Sequence, residues 1–141
     1  MFRLDEPATW PQEGDRLWLP WVSPIAFTVA GCKCGPNGKP LVKFVDGTVD
    51  DLIGWQYYPK QGDHVIVATR PLYRIYHEHW IRDWCDQLIE KELDVIGPGS
   101  RPPEGSAASC PRPFLRLIPV DGGDPVNLPD VCCIVIGGRH G

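Results

Sequence analysis

The densest run of chemically capable side chains in this sequence is RPLYRIYHEHWIRDWC, residues 70–85. It combines three arginines and four large aromatic residues with two histidines, a glutamate and a cysteine. Imidazoles and thiolates bind transition metals, a histidine can activate a thiol for nucleophilic attack, and arginines among aromatic rings can bind single-stranded nucleic acid. The residue types therefore indicate three kinds of site, and each requires a different arrangement of the rest of the chain.

A metal site would draw on the cysteines, of which the chain has six. Structural zinc sites commonly use cysteines separated by about two to four residues, because that spacing lets both thiolates face one ion. Cys32 and Cys34 are instead separated by one residue, and Cys132 and Cys133 are adjacent. These four are the alternative ligand set for a zinc or iron–sulfur site, with Cys110 as a further ligand. Because the spacing favours buried free thiols, we expect no cofactor.

A longer segment, YPKQGDHVIVATRPLYRIYHEHW, resembles the histidine box of the lecithin:retinol acyltransferase-like thiol hydrolases and their viral relatives. In that family a Gly-Asp pair opens a strand, and an Arg-Pro-aromatic turn leads to the catalytic histidine. The resemblance implies a Cys/His thiol hydrolase in which His79 is the base that activates a thiolate. The family's Asn-Cys pair is absent, and Cys110 and Cys133 are the alternative candidates for the nucleophile. The matching positions are Pro59, Lys60, Gly62, Asp63, Ile66, Arg70, Pro71, Tyr73, Arg74, His79 and Trp80.

Nucleic-acid binding would rest on Arg70, Arg74 and Arg82, with Tyr73 and Tyr76 as stacking surfaces. The formal net charge is −4 and the pI is about 5.5. A nucleic-acid binder must neutralise phosphates with a basic face, and the acidic balance opposes this. We therefore expect no nucleic-acid partner.

Short strands and tight turns are the elements that must position these residues. The 16 prolines and 15 glycines interrupt long helices and favour turns. Between residues 15 and 76, β-branched and aromatic runs alternate with turn signals, and the clearest is LVKFVDGTV, with a hairpin turn at Asp46 and Gly47. GDRLWLPWV, LVKFVDGT and GDHVIVATR resemble phrases of SH3-like and Tudor-like barrels. We therefore expect five or six short strands in this region.

Apolar residues from 78 to 96 recur at the spacing of an amphipathic helix, which Gly97 and Pro98 would end. This helix would place Cys85 on its core face and would leave His77 and His79 at a strand-to-helix corner, where they could still act chemically. Two C-terminal strands are expected at FLRLIPV and VCCIVIG, and the second is expected to lie centrally because it is apolar on both faces.

The 141 residues predict a single domain. It comprises an extended N-terminal arm (1–14), a barrel with its helix (15–96), a Pro/Gly-rich loop (97–113) and C-terminal strands (114–141). The expected fold class is α+β and β-rich: a small antiparallel SH3-like or Tudor-like barrel or sandwich, with one amphipathic helix packed on it.

These features predict a non-enzymatic protein–protein interaction and assembly module, such as an adaptor or a small structural component of a virus or phage particle. Six tryptophans are many for this length, and tryptophan is over-represented at interface hot spots. Trp18, Trp21, Trp55 and Arg70 are the predicted contact residues, and the partner is another protein or further copies of this chain. With no apolar run of membrane-spanning length and no secretory signal, we expect no membrane association and a location in the cytoplasm or in a particle assembled there.

Overall fold

The computed structural model of the chain describes residues 3–67, 71–80 and 83–137. Within these residues the protein has two antiparallel five-stranded sheets and one short α-helix, which confirms the predicted β-rich α+β class. None of the described helices is long and apolar enough to cross a membrane. The elements are β1 (Arg16–Trp18), β2 (Ala26–Cys34), β3 (Pro40–Phe44), β4 (Val49–Asp51), β5 (Gln56–Tyr57), β6 (His64–Val67), α1 (Pro71–His79), β7 (Glu92–Pro98), β8 (Phe114–Pro119), β9 (Val126–Pro129) and β10 (Cys133–Gly137).

The first sheet has the strand order β4-β3-β2-β1-β5: β1 to β4 pair as successive antiparallel neighbours, and β5 pairs with β1. The hairpin turn predicted at Asp46 and Gly47 joins β3 to β4. Gly47 has a φ of 93°, a conformation that glycine adopts without strain, and the Asp46 carboxylate accepts a hydrogen bond from the Thr48 amide at 2.9 Å. Alternate residues of β3 are buried, so one face of this hairpin packs on the core.

The second sheet has the order β10-β6-β7-β8-β9. The apolar run that ends in β10 was expected to lie centrally, but β10 is an edge strand that pairs with β6 alone among the described strands. Its residues Cys133, Ile134 and Val135 are nevertheless all buried, because β10 lies beside β5 of the first sheet. Both faces of β10 are apolar because the strand packs against the other sheet, although it is not central in its own sheet.

The core is shared by the two sheets and continues into the N-terminal arm. Trp18 of β1 packs edge-on against the Tyr58 ring, with ring centroids 5.2 Å apart. The arm folds against the first sheet: Trp10 is buried, and the Thr9 carbonyl accepts a hydrogen bond from the Tyr57 hydroxyl at 3.3 Å. The arm is therefore attached to the fold through Thr9 and Trp10.

The helix predicted over 78–96 is wrong. Helix α1 occupies Pro71–His79, where a strand was expected, and a 3₁₀ turn at Asp83–Leu88 leads to strand β7. Leu72, Tyr76 and Trp80 are spaced four residues apart, which places them on one face of α1, and proline is favourable in the first turn of a helix. The Tyr76 and Trp80 rings lie 5.3 Å apart on that face.

The buried residues of β7 alternate with the period of two residues that is typical of a strand. The predicted helix required a period of about 3.6 residues. Leu93, Val95 and Gly97 are buried, and the residues between them face away from the core. Glu90 has a φ of 67°, in the left-handed region, so the chain leaves helical geometry immediately before the strand. The expected linker starts inside β7 and then forms a 3₁₀ turn at Ser106–Ser109, next to which Cys110 is buried.

His64 of β6 lies between two carboxylates of β7. This arrangement predicts that the free energy of unfolding depends on pH. Its Nδ1 is 2.8 Å from Asp94 Oδ1 and its Nε2 is 3.4 Å from Glu92 Oε2. The hydrogen bond to Asp94 is the main cause that raises the pKa of His64 above its ordinary 6.5. The resulting stabilisation is complete below pH 6.5 and is lost as the pH rises through the raised pKa.

Replacing His64 with asparagine should therefore cost more stability at about pH 5.5 than at about pH 8.5, by roughly 0.5 kcal/mol because the carboxylates are half-exposed. Urea unfolding of both proteins at the two pH values measures this difference. A cost for His64→Asn that is the same at both values would show that the ion pairs contribute nothing.

Candidate functional site

The predicted contact residues occupy different environments. Trp18 is fully buried and Trp55 is 7% exposed, so both rings are part of the core. Trp55 contacts Phe44, with centroids 4.7 Å apart, and its indole N–H donates to Asp50 at 3.2 Å. Trp21 is 48% exposed and is the member of this set that offers side-chain surface to a partner. Arg70 lies outside the described residues.

The two histidines at the end of α1 have separate neighbours. His77 Nε2 is 3.0 Å from a carboxylate oxygen of Asp86, which connects α1 to the following 3₁₀ turn. The ring of the alternative base, His79, contacts the Trp80 ring at a centroid distance of 5.3 Å. Arg74 is exposed on the same helix, whereas Arg82 and the side chain of Tyr73 lie outside the described part. The described residues of the stretch 70–85 thus form a contact with the neighbouring Asp86 and two aromatic contacts, both with Trp80.

The cysteines proposed as nucleophiles or ligands are mostly buried. Cys110, Cys132 and Cys133 are covered, and the Cys133 thiol lies 4.0 Å from the Pro129 carbonyl oxygen. Burial raises the pKa of the Cys110 thiol and also that of Cys32, and a raised pKa keeps a thiol in its less nucleophilic protonated form. Over residues 3–67, 71–80 and 83–137, no three histidine, cysteine or acidic side chains are placed to hold a metal ion.

A hydrogen-bonded polar cluster around a buried carboxylate joins three residues that were not predicted from the sequence. Asp130 is fully buried. Its carboxylate accepts a hydrogen bond from the Tyr58 hydroxyl at 2.5 Å and two from the Arg112 guanidinium, at 2.6 and 3.1 Å. The Asp130 amide in turn donates to the Pro113 carbonyl at 3.0 Å. We refer to Tyr58, Arg112 and Asp130 as the buried triad.

The charges in the buried triad compensate one another. Burial is the main cause that raises the pKa of Tyr58, and the charge and hydrogen bond of Asp130 add to it, so the phenol stays protonated. Burial alone would lower the pKa of Arg112, but its hydrogen bonds with Asp130 raise it. A buried carboxylate is tolerated when its lone pairs are satisfied, and here three donors from two side chains satisfy them. The triad is consequently a fixed structural centre.

Arg112 also connects this centre to a loop at the surface. The Arg112 NH2 group donates to the Pro24 carbonyl at 3.3 Å, as well as to Asp130. Pro24 belongs to the β1–β2 loop, residues 19–25, which turns where the amides of Val22 and Ser23 both donate to the Leu19 carbonyl. The loop is therefore held by its own hydrogen bonds and by the guanidinium of Arg112, which is 88 residues away from Pro24 in the sequence.

The same loop exposes three large apolar side chains. Trp21 is 48% exposed, Val22 is 72% exposed and Ile25 is 59% exposed. Single exposed apolar residues are ordinary, but three within five positions of one fixed loop form a patch, and such patches commonly mark interaction sites. We call these three residues the apolar loop patch. Its chemistry suits the burial of an apolar surface and contains no group for acid–base or nucleophilic catalysis.

Trp21 could be predicted as a contact residue from the sequence, but the contacts that hold its loop could not. Tyr58 and Asp130 are 72 positions apart and Arg112 and Pro24 are 88 apart, so no local spacing shows the connection. One signal in the sequence could have indicated the connection. Asp130 directly precedes the apolar run that leads into β10, and a carboxylate buried there needs a partner.

Comparison of this chain with protein-family models, with curated proteins and with solved structures gives no match.

Proposed function

We propose that this protein is a non-enzymatic protein–protein interaction module, an adaptor or a part of a larger assembly, and that the β1–β2 loop is its contact surface. The observation that carries the proposal is the apolar loop patch on a loop that Arg112 fixes to a buried carboxylate. The proposed setting is the cytoplasm or a particle assembled there, such as that of a virus or phage, and the partner is a protein or another copy of the chain.

Two physical arguments support this use of the loop. Tryptophan is among the residues that most often dominate binding energy, especially when neighbouring apolar residues exclude water around it. A loop that is already ordered loses little conformational freedom on binding, so more of the contact energy appears as affinity. Trp21 with Val22 and Ile25 meets the first condition, and the bond from Arg112 to Pro24 meets the second.

We further propose that residues 16–57 form an SH3-like barrel. The proposal is supported by the antiparallel pairing of the successive strands β1 to β4 and by the return of β5 to pair with β1. In this arrangement the β1–β2 loop is a connection on a rigid scaffold, and such connections commonly carry binding residues.

A photo-crosslinking amino acid at Val22 tests the contact surface in the cells that make the protein. We expect it to give discrete adducts, because Val22 is the most exposed residue of the patch. The same amino acid at Val120, a half-exposed apolar residue after β8, should not give these adducts. Replacing Trp21 with alanine should reduce the adducts by about tenfold, since a hot-spot tryptophan contributes more than 1 kcal/mol.

Ile53→Ala is the matched control variant, because Ile53 is an exposed apolar residue outside the loop. Identical adducts from positions 22 and 120, or adducts that Trp21→Ala leaves unchanged, would reject the loop as the contact surface. Mass spectrometry of each adduct distinguishes a foreign protein from a second copy of this chain.

A further inference from the structure

A second surface feature is a groove where the two sheets meet. It has a volume of about 450 Å³ and is open to solvent. Its lining includes Arg16, Tyr58, Lys60, Pro98, Pro113 and Phe114, and no aspartate or glutamate is among the described residues that line it. The groove is therefore cationic, although the whole chain carries a net charge of −4.

The cations of the groove are Arg16 and Lys60, and in the part of the chain that the structure describes neither of them forms an ion pair. Of the two buried carboxylates nearby, Asp130 is neutralised by Arg112, and Asp63 accepts a hydrogen bond from the Lys60 backbone amide. Asp63 offsets part of the positive field, but the two exposed cations at the groove remain available to an anionic ligand.

Arg16, the arginine that lines this groove, is already oriented. Its guanidinium lies over the Tyr58 ring, 4.6 Å from the ring centroid. A guanidinium that stacks on a ring keeps its N–H edge free, and that edge matches the geometry of a carboxylate. The prolines of the walls lack amide N–H groups and offer apolar surface between the charges.

We propose that this groove binds an acidic, extended segment of a partner protein, with Arg16 and Lys60 pairing with its carboxylates and the proline walls packing against the residues between them. The inference deepens the proposed protein-binding function and rests on it. A nucleic-acid strand is disfavoured because Tyr58 and Phe114 are almost fully buried and offer no free ring face for base stacking.

The test is fluorescence anisotropy with a labelled peptide of alternating glutamate and proline, and a glutamine–proline peptide as the uncharged control. We expect saturable binding of the glutamate peptide and no binding of the glutamine peptide. The affinity should fall as the salt concentration rises. The double variant Arg16→Gln/Lys60→Gln should weaken it by roughly tenfold, because each charge pair at a solvent-exposed rim contributes up to about 1 kcal/mol.

Lys33→Gln/Lys39→Gln is the matched control, since it makes the same change in net charge at exposed lysines outside the groove. Its effect should stay below about twofold. Equal weakening by both double variants, or no binding up to about 1 mM peptide, would overturn the proposal. Displacement of the peptide by an oligothymidylate of equal affinity would overturn the peptide assignment in favour of a polyanion.

The failure of this inference can be separated from failure of the contact loop. Trp21→Ala should leave peptide binding unchanged, because Trp21 does not line the groove. If the unsubstituted protein forms adducts at Val22 but does not bind the peptide, the groove proposal is rejected and the loop proposal stands. Peptide binding without any adducts at Val22 would reject the loop and retain the groove.

Discussion

Replacing Asp130 with alanine is expected to lower the free energy of unfolding by about 3 kcal/mol, one of the two largest effects of a single substitution that we predict. Asp130 is fully buried, and its removal takes away the acceptor of the Tyr58 hydroxyl and the counter-charge of the partly buried Arg112 guanidinium. Breaking a buried charge pair by removing one partner is costly because the other charge stays desolvated. Urea unfolding followed by circular dichroism measures the change.

The matched control is Asp124→Ala, which removes an exposed carboxylate from the β8–β9 connection and should change stability by less than about 0.5 kcal/mol. Asp130→Asn should fall between the two, because the amide oxygen can still accept from Tyr58 but carries no charge for Arg112. Equal unfolding midpoints for Asp130→Ala and Asp124→Ala would contradict a structural role for the buried triad. Hydrogen exchange of the Val22 and Ser23 amides should also accelerate in Asp130→Asn.

Gly99→Ala is expected to cost about 2–3 kcal/mol, because strand β8 passes too close for a side chain. A Cβ built on Gly99 would lie 2.6 Å from the Leu115 carbonyl carbon, 2.7 Å from its oxygen and 2.9 Å from the Arg116 amide nitrogen. These are backbone atoms of β8, which pairs with β7, so relief requires the sheet to shift. Thermal and urea unfolding of the purified variant measure the cost.

Gly31→Ala provides the comparison, since a Cβ at Gly31 would meet open space and its backbone is not in the left-handed region. Its stability should stay within about 0.5 kcal/mol of the unsubstituted protein, or rise slightly because alanine restricts the unfolded chain. A Gly99→Ala protein as stable as Gly31→Ala would show that β8 can move aside at little cost.

The parts of the fold that could be predicted are those that local chemistry determines. The β3–β4 hairpin is one example, because Asp46 and Gly47 specify the turn and the flanking residues alternate. The β-rich class follows from many such local signals, together with the frequency of proline and glycine.

The segment from 71 to 98 could not be predicted because its pattern fits two periods. Residues 88, 89, 93 and 96 suit a helical stripe, whereas Leu93, Val95 and Gly97 suit a strand. Pairing with β6 and β8 decides between them, since β7 gains hydrogen bonds on both sides. Pairing between strands that are distant in the sequence cannot be predicted from the local residues of one strand.

The candidate site divides in the same way. The abundance of tryptophan indicated an interaction role for Trp21, but composition could not separate it from Trp18, which the core requires. The buried triad depends on three residues from distant parts of the chain, and only the folded topology brings them together.

The bond from Arg112 to Pro24 also imposes an order on the appearance of the apolar loop patch during biosynthesis. The loop leaves the ribosome 88 residues before the arginine that fixes it, and Asp130, which orients that arginine, follows still later. Until then the segment that carries Trp21, Val22 and Ile25 lacks this restraint, and its binding must also supply more of the energy of ordering. Under the proposed function, the nascent chain should therefore bind its partner more weakly than the folded domain does, until Arg112 and Asp130 are in place.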